Sequence, residues 1–150
     1  MDQQPKPLNI RKAKARQIAV QGLYNILLLS KQPEEMDVFL SGLIDSASKT
    51  KKIQIDRKHA KLLLDGVLFR RDDLEKLIDA NLKEKRNMSP LVQAILLAGA
   101  FELLVMEETP VKVVISEYLS VTDLYFENPE RPFIHGMLDA IARSARLGHG

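Results

Sequence analysis

The segment Leu91–Met106 constrains the fold most, because its 16 residues are apolar or glycine except for Gln93 and Glu102. A transmembrane helix needs about 20 such residues, so this segment is too short to span a bilayer. A helix that is apolar on every side belongs at the centre of a bundle. Glu102 then has to find a partner, and we expect it to be a paired structural carboxylate.

The rest of the chain repeats apolar residues at helical spacing, and no useful stretch alternates with period two. We therefore predict an all-α protein, a seven-helix bundle. Residues 1–10 are expected to form a flexible tail, and residues 11–147 a single helical domain. Asp56 and Ser89 are predicted N-caps, with Pro90 in the first turn that follows Ser89. The predicted helices cover about residues 11–29, 33–47, 56–68, 74–82, 90–106, 110–125 and 133–147.

The sequence offers no pattern typical of an enzyme. Cysteine is absent, and His59, His135 and His149 are scattered without metal-ligand spacing. The glycines stand singly, so no phosphate-binding loop is present. We therefore predict no catalytic residues, no metal and no cofactor. The N-terminus lacks the apolar stretch of a signal peptide, which favours a cytoplasmic protein without a membrane partner.

The charge is unevenly distributed although the net charge is only +2. Residues 1–20 hold five Lys or Arg and residues 49–71 hold eight, whereas residues 102–130 hold seven acids against Lys112. Such a chain could present a basic face to a polyanion and an acidic face to a basic protein. The alternative is that these charges average out over the folded surface.

The first predicted helix combines cations, amides and an aromatic residue on the side next to its apolar stripe. Cations neutralise phosphates, amides read base edges, and a tyrosine can stack on an unpaired base. The sequence therefore predicts a surface for single-stranded nucleic acid, with a solvated basic face as the alternative. The residues in question are Arg11, Lys12, Lys14, Arg16, Gln17, Gln21 and Tyr24.

Three blocks of this sequence resemble the NusB family of bacterial transcription antitermination factors. The first block is ARQIAVQGLY at 15–24, and the second is AILLAGAFEL at 94–103. The third runs from TPVKVVISE at 109–117 to FIHGMLD at 133–139. Their order and spacing carry the resemblance, which covers roughly residues 11 to 145.

The resemblance implies a fold of two perpendicular helical subdomains and a factor without enzymatic activity. It implies binding of boxA-like single-stranded RNA together with the ribosomal protein NusE, within the RNA polymerase antitermination complex, chiefly in rRNA operons. Lys12, Lys14 and Arg16 would then meet phosphates and Tyr24 would lie near bases. Phe133 and Phe126 in the loop before it would flank the RNA. Some members pair into homodimers, so the oligomeric state stays open.

The chain departs from the family pattern at several places. Leu97 stands where the family usually carries an arginine, Leu91 and Val92 replace a polar pair, and His135 replaces an asparagine. These departures keep an alternative open, a diverged protein-interaction module that has lost specific RNA binding. Some RNA cytosine methyltransferases carry a similar domain ahead of a catalytic domain, for which these 150 residues leave no room.

Overall fold

A computed structural model of the chain describes residues 7–29, 38, 41–42, 44–45, 55–84, 86–125 and 130–146. Every regular element in these ranges that has a defined beginning and end is an α-helix. The all-α prediction is confirmed. The six helices are α1 (Pro7–Leu29), α2 (Arg57–Phe69), α3 (Arg71–Ala80), α4 (Pro90–Val105), α5 (Val111–Tyr125) and α6 (Glu130–Ala145).

The apolar segment forms α4, and α4 packs against each of the other five helices. All of its residues from Ala94 to Leu103 are buried. The helix begins as predicted, because the Ser89 side chain accepts a hydrogen bond from the Val92 N–H and Pro90 occupies the first turn. The sequence prediction of a central helix is confirmed.

Helix α2 also begins at its predicted cap, where Asp56 accepts a hydrogen bond from the His59 N–H at 2.9 Å. It ends at Phe69, and Arg70 alone separates it from α3. The gap predicted between the helices at about 56–68 and 74–82 is therefore reduced to one residue. Asp72 and Asp73 lie in the first turn of α3, where the positive end of the helix dipole stabilises their negative charges.

Three predictions about the helices differ from the structure or stay unconfirmed. Helix α1 begins at Pro7, so residues 7–10 are helical rather than part of a tail. The seven-helix count is not confirmed, because the second predicted helix, 33–47, lies largely outside the described residues. Residues 38, 41–42, 44 and 45 of that segment are helical, and Ile44 is buried. The perpendicular arrangement of two subdomains stays a prediction.

Among the described residues, none of the helices combines the length and the apolar character that crossing a membrane requires.

Candidate nucleic-acid interface

Helix α1 separates an apolar face from a polar face, as its sequence predicts. The predicted stripe is buried, including Ala15, Ile18 and Leu23. Beside it, Arg11 is exposed, and a row of partly exposed side chains follows at helical spacing. The row consists of Lys14, Gln17, Gln21 and Tyr24, whereas Lys12, two residues before Lys14, is partly exposed on another face of the helix. The Lys14 ammonium donates a hydrogen bond to Gln17 Oε1 at 3.5 Å, which connects two neighbours of the row.

Arg16 does not belong to this row, and the prediction that it faces RNA is wrong. Only 4% of Arg16 is exposed. Its Nε lies 2.7 Å from Glu102 Oε2 and its Nη2 lies 3.0 Å from Glu102 Oε1, a bidentate ion pair. The physical reason is register: Arg16 shares its face with Val20 and Leu23, four and seven residues further on, and both are buried.

Glu102 is the centre of a buried ionic cluster formed by Arg16, His59, Glu102 and Tyr118. The Tyr118 hydroxyl donates a hydrogen bond to Glu102 Oε2, and His59 Nε2 lies 3.8 Å from Glu102 Oε1. Glu102 and Tyr118 are both fully buried. The predicted paired structural carboxylate is therefore confirmed, and the cluster connects α1, α2, α4 and α5.

Burial and charge shift the pKa values of Arg16, His59 and Tyr118. Burial alone would lower the pKa of Arg16, but the hydrogen bonds and charge of Glu102 outweigh it and raise that pKa. Burial lowers the pKa of His59, assisted by the positive charges of Arg16 and Lys12 and opposed by Glu102. Burial, followed by the negative charge of Glu102, raises the pKa of Tyr118 well above its ordinary value. The cluster therefore holds a charged arginine beside a neutral imidazole and a neutral phenol.

A residue that sequence reasoning missed extends the polar row of α1. Gln21 Nε2 donates a hydrogen bond to the hydroxyl of Tyr125 at 3.0 Å, and 37% of Tyr125 is exposed. Gln21 and Tyr24 are three residues apart on one helical face, so their Cβ atoms are neighbours at about 5–6 Å. Tyr125 thus adds a second aromatic side chain next to the row. No local pattern could reveal a contact between residues 104 positions apart.

Phe133 lies at a second place, near the start of α6. The sequence did not suggest the residue that it contacts there. The Arg86 guanidinium carbon lies 3.8 Å from the centre of the Phe133 ring. Arg86 Nη2 also donates to the Glu130 carboxylate, at 3.2 Å to Oε2 and 3.4 Å to Oε1. We call Arg86, Glu130 and Phe133 the α6 cluster.

The two places are close along the chain, because α5 and α6 are consecutive helices. Tyr125 ends α5 and Glu130 begins α6, five residues apart, so their Cα atoms are at most about 18 Å apart. Arg131 Nε lies 3.0 Å from Asp123 Oδ1, an ion pair between the start of α6 and the end of α5. Phe126, another predicted site residue, lies outside the described residues.

Two of the four positions at which the chain departs from the family pattern are buried. Leu97 is 2% exposed and Val92 is 3% exposed, both as parts of the core. His135 is exposed on α6. Within the described ranges, no group of three or more His, Asp or Glu side chains could hold a metal ion.

Both the sequence and the fold of this chain match those of known proteins. The model of the NusB family matches residues 13–143. The chain belongs to the NusB family. The resemblance carried by the three sequence blocks is thereby confirmed, and the family is one of transcription antitermination proteins.

Two relatives and one solved structure show the extent of the match. The transcription antitermination protein NusB of Rickettsia akari is 31% identical over 145 residues, covering 89% of this chain and 92% of the relative. The NusB of Maricaulis maris is 38% identical over 97 residues, which span 63% of this chain and only 61% of that relative. T. maritima NusB has a TM-score of 0.77 at 18% identity, covering 90% of this chain and 93% of that one, which shows the shared fold.

Proposed function

We propose that this NusB-family protein is a non-catalytic RNA-binding antitermination factor. It would bind boxA-like single-stranded RNA together with the ribosomal protein NusE and join the RNA polymerase antitermination complex, chiefly on rRNA operons. Such a factor works in the cytoplasm, where transcripts are made. The observation that carries the proposal is the row of a lysine, two amides and a tyrosine along α1, with Arg11 and Lys12 accessible at the start of the same helix.

The roles follow from the chemistry of the side chains in the row and of the two cations before it. Arg11, Lys12 and Lys14 contact phosphates, since their charge attracts the backbone of any strand. Gln17 and Gln21 offer amides to base edges, and the ring of Tyr24 offers a stacking surface. These roles suit an unpaired strand, because the base edges and faces of a single strand are open to side chains.

Arg16 acts differently in this proposal, as a positioning residue beneath the interface. Its bidentate pair with Glu102 ties the middle of α1 to the central helix. The polar row therefore rests on a fixed helix and need not be ordered when RNA arrives, which lowers the entropic cost of binding.

Fluorescence anisotropy with a labelled boxA-like RNA, with and without NusE and at several salt concentrations, tests the proposal. Three phosphate contacts predict a slope of about −2.1 when the logarithm of affinity is plotted against that of salt. Lys14→Glu should weaken binding and make the slope shallower by about 0.7. The matched control is Lys76→Glu, which reverses an exposed lysine on α3.

Two results would contradict the proposal. One is equal affinity for boxA-like and scrambled RNA in the presence of NusE. The other is an affinity that does not change with salt.

A second candidate function is a protein-interaction module that keeps NusE and has lost specific RNA binding. The burial of Leu97, where the family usually carries an arginine, and the burial of Arg16 favour it, because two positions supply no cation to the surface. Complex formation with NusE on a sizing column, combined with no shift of boxA-like RNA, would support this candidate over the first.

A further inference from the structure

His59 lies in the first turn of α2 and is buried, with 5% of the residue exposed. Within the part of the chain that the structure describes, its Nε2 atom has no hydrogen-bond partner. The nearest carboxylate oxygen in the cluster, Glu102 Oε1, lies 3.8 Å away, which is too far for a hydrogen bond. A buried polar atom without a partner is costly for the folded state, so its presence calls for an explanation.

The charges that face His59 oppose one another. Helix α1 presents the cations Lys12 and Arg16. Helix α4 presents the carboxylate of Glu102, and the carboxylate of Asp56 caps α2 itself. Burial and the two cations favour the neutral imidazole, whereas the two carboxylates favour the protonated one. The charge of His59 therefore depends on a balance between its neighbours.

Helix α5 contributes two further groups, and both contact the neighbours of His59. The Tyr118 hydroxyl donates to Glu102 Oε2, and burial raises the pKa of Tyr118 well above its ordinary value, so this phenol is neutral. Glu117 Oε1 lies 3.7 Å from Arg16 Nη1, and burial raises the pKa of Glu117. These contacts hold the ion pair of Arg16 and Glu102 in place beside the imidazole.

Lys12 connects the buried histidine to the surface of α1. It lies four residues before Arg16, so the two cations share a face of the helix. The starts of α1 and α2 lie together, because the Asp56 N–H donates to the Arg11 carbonyl at 3.4 Å. Lys12 is partly exposed, and under the proposed function it contacts an RNA phosphate. One ammonium group therefore acts both on His59 and on the ligand.

A phosphate at Lys12 changes the balance around His59. Its negative charge compensates the ammonium charge, which otherwise disfavours a proton on the imidazole. A protonated imidazole carries an N–H on Nε2, and a small movement brings this donor within hydrogen-bond distance of Glu102 Oε1. Protonation thus gives the buried Nε2 atom the partner that it lacks.

We propose that His59 takes up a proton from the solvent when single-stranded RNA binds to α1, so that mild acidification tightens RNA binding. This inference rests on the proposed RNA-binding function and adds a regulation to it. Lys12 transmits the effect, because it is the charge that both the imidazole and the phosphate meet. The coupling is reciprocal: RNA favours the proton, and the proton favours RNA.

RNA affinity at two pH values tests the coupling. Fluorescence anisotropy with boxA-like RNA and NusE is measured at about pH 7.5 and about pH 5.5, on either side of the ordinary histidine pKa of about 6.5. The wild-type protein should bind about 2- to 10-fold more tightly at the lower pH. His59→Gln should lose this difference, whereas His135→Gln, which changes an exposed histidine, should keep it. A difference of the same size in His59→Gln would refute the proposal.

A pair of neighbouring variants tests the route through Lys12 without altering the core. Lys12→Gln removes the transmitting charge, so RNA binding should weaken and the difference between the two pH values should shrink to below about 2-fold. Arg11→Gln, one residue earlier and exposed, should weaken binding to a similar extent at both pH values and keep the difference. A full pH difference in Lys12→Gln would contradict the coupling.

Nuclear magnetic resonance of the His59 ring gives a readout other than affinity. Its pKa should lie below the ordinary value without RNA and should rise by about 0.3 to 1 when boxA-like RNA and NusE bind. An unchanged pKa would refute the coupling, whatever the stability of the His59 variant. Circular dichroism at both pH values checks that each protein is folded.

The same measurements separate failure of this inference from failure of the proposed function. If the wild-type protein binds boxA-like RNA with the expected salt dependence and with equal affinity at both pH values, only the coupling is refuted. If it binds no boxA-like RNA with or without NusE, both proposals are refuted.

Discussion

At the scale of single residues, Arg16 shows how a charged side chain in the basic N-terminal segment can belong to the core. Its guanidinium is buried at 4% exposure and is compensated by the equally buried Glu102. Two opposite charges removed from water stay stable only while both are present and hydrogen-bonded. The same sequence run thus supplies one structural cation and several surface cations.

Loss of one partner should therefore be costly. Arg16→Met leaves the Glu102 carboxylate buried without its cation and should lower the free energy of unfolding by about 3–5 kcal/mol, measured by urea titration. Lys14→Met, two residues earlier and partly exposed, is the matched control and should change it by no more than about 0.5 kcal/mol. The double variant Arg16→Met with Glu102→Gln should be more stable than Arg16→Met alone. Equal losses of stability in Arg16→Met and Lys14→Met would contradict the assignment of Arg16 to a buried ion pair.

His59 makes the stability of the folded protein depend on pH. Its pKa is lowered in the folded state by burial and by the nearby Arg16 and Lys12, against the attraction of Glu102 and Asp56. As pH falls below about 6.5, the unfolded chain takes up a proton at His59 that the folded protein resists, so stability should fall. Urea titrations between about pH 7 and pH 5 should show this loss in the wild type and a smaller loss in His59→Gln.

Glu117 tests the sign of this effect, because its Oε1 lies 3.7 Å from Arg16 Nη1 at the edge of the cluster. Burial raises the pKa of Glu117, so its contribution to stability grows as pH falls and opposes that of His59. Glu117→Gln should therefore make the acid-side loss steeper. His135→Gln changes an exposed histidine and should keep the wild-type profile. A His59→Gln profile that superimposes on the wild type would refute the explanation.

At the scale of elements, the contact between α2 and α4 depends on a missing side chain. A Cβ added at Gly66 would lie 2.3 Å from Cζ of Phe101, which is closer than real Cβ atoms come to a neighbour. Phe101 is buried in the central helix and has little room to move. Gly66 therefore lets the Phe101 ring reach the backbone of α2.

A matched pair of glycine variants tests this contact. Gly66→Ala should destabilise the protein by about 1–3 kcal/mol through overpacking, despite the better helix propensity of alanine. Gly136→Ala, in α6, meets open space and should stabilise it by up to about 1 kcal/mol. Thermal unfolding followed by circular dichroism measures both. A stabilising Gly66→Ala would show that α2 and α4 are not in such close contact.

The same scale explains what could be predicted from sequence. Apolar spacing and helix caps involve residues that are close in the sequence. Sequence patterns could therefore predict α4 and the N-caps Ser89 and Asp56. The pairing of Arg16 with Glu102 spans 86 residues, and that of Arg86 with Glu130 spans 44. One signal was present: a lone carboxylate in an apolar helix requires a cation, and Arg16 shares a face with Val20 and Leu23. Nothing local signalled the stacking of Arg86.

At the scale of the whole molecule, Glu102 joins both ends of the chain to the central helix. Its carboxylate binds Arg16 of α1, while its backbone carbonyl accepts a hydrogen bond from Arg146, just after α6, at 3.2 Å. Helix α4 is thus held from two directions at one residue. The surface that we assign to RNA rests on this junction, because α1 and α6 carry its two parts.

Arg146 closes the bundle from the carboxyl end and lies beyond residues 13–143, which the family model matches. Only 7% of it is exposed, and its guanidinium donates to the carbonyls of Glu102, Leu103, Met106 and Thr109, at the end of α4 and the turn that follows. These carbonyls include unpaired groups at a helix C-terminus, where a cation is favourable.

Replacement of Arg146 should accordingly loosen the whole bundle. Arg146→Leu removes the donor that binds the Leu103 and Thr109 carbonyls, whereas the Glu102 and Met106 carbonyls keep their backbone donors. It should lower the free energy of unfolding by roughly 2–4 kcal/mol, measured by urea titration. Arg143→Leu is the control, because Arg143 is 74% exposed and pairs with Asp139 one turn away, so its loss should cost less than about 1 kcal/mol. Because α6 also carries Phe133, Arg146→Leu should weaken RNA binding in the temperature range where it begins to unfold, whereas Arg143→Leu should not. Equal stability of the two variants would mean that the chain end does not hold α4.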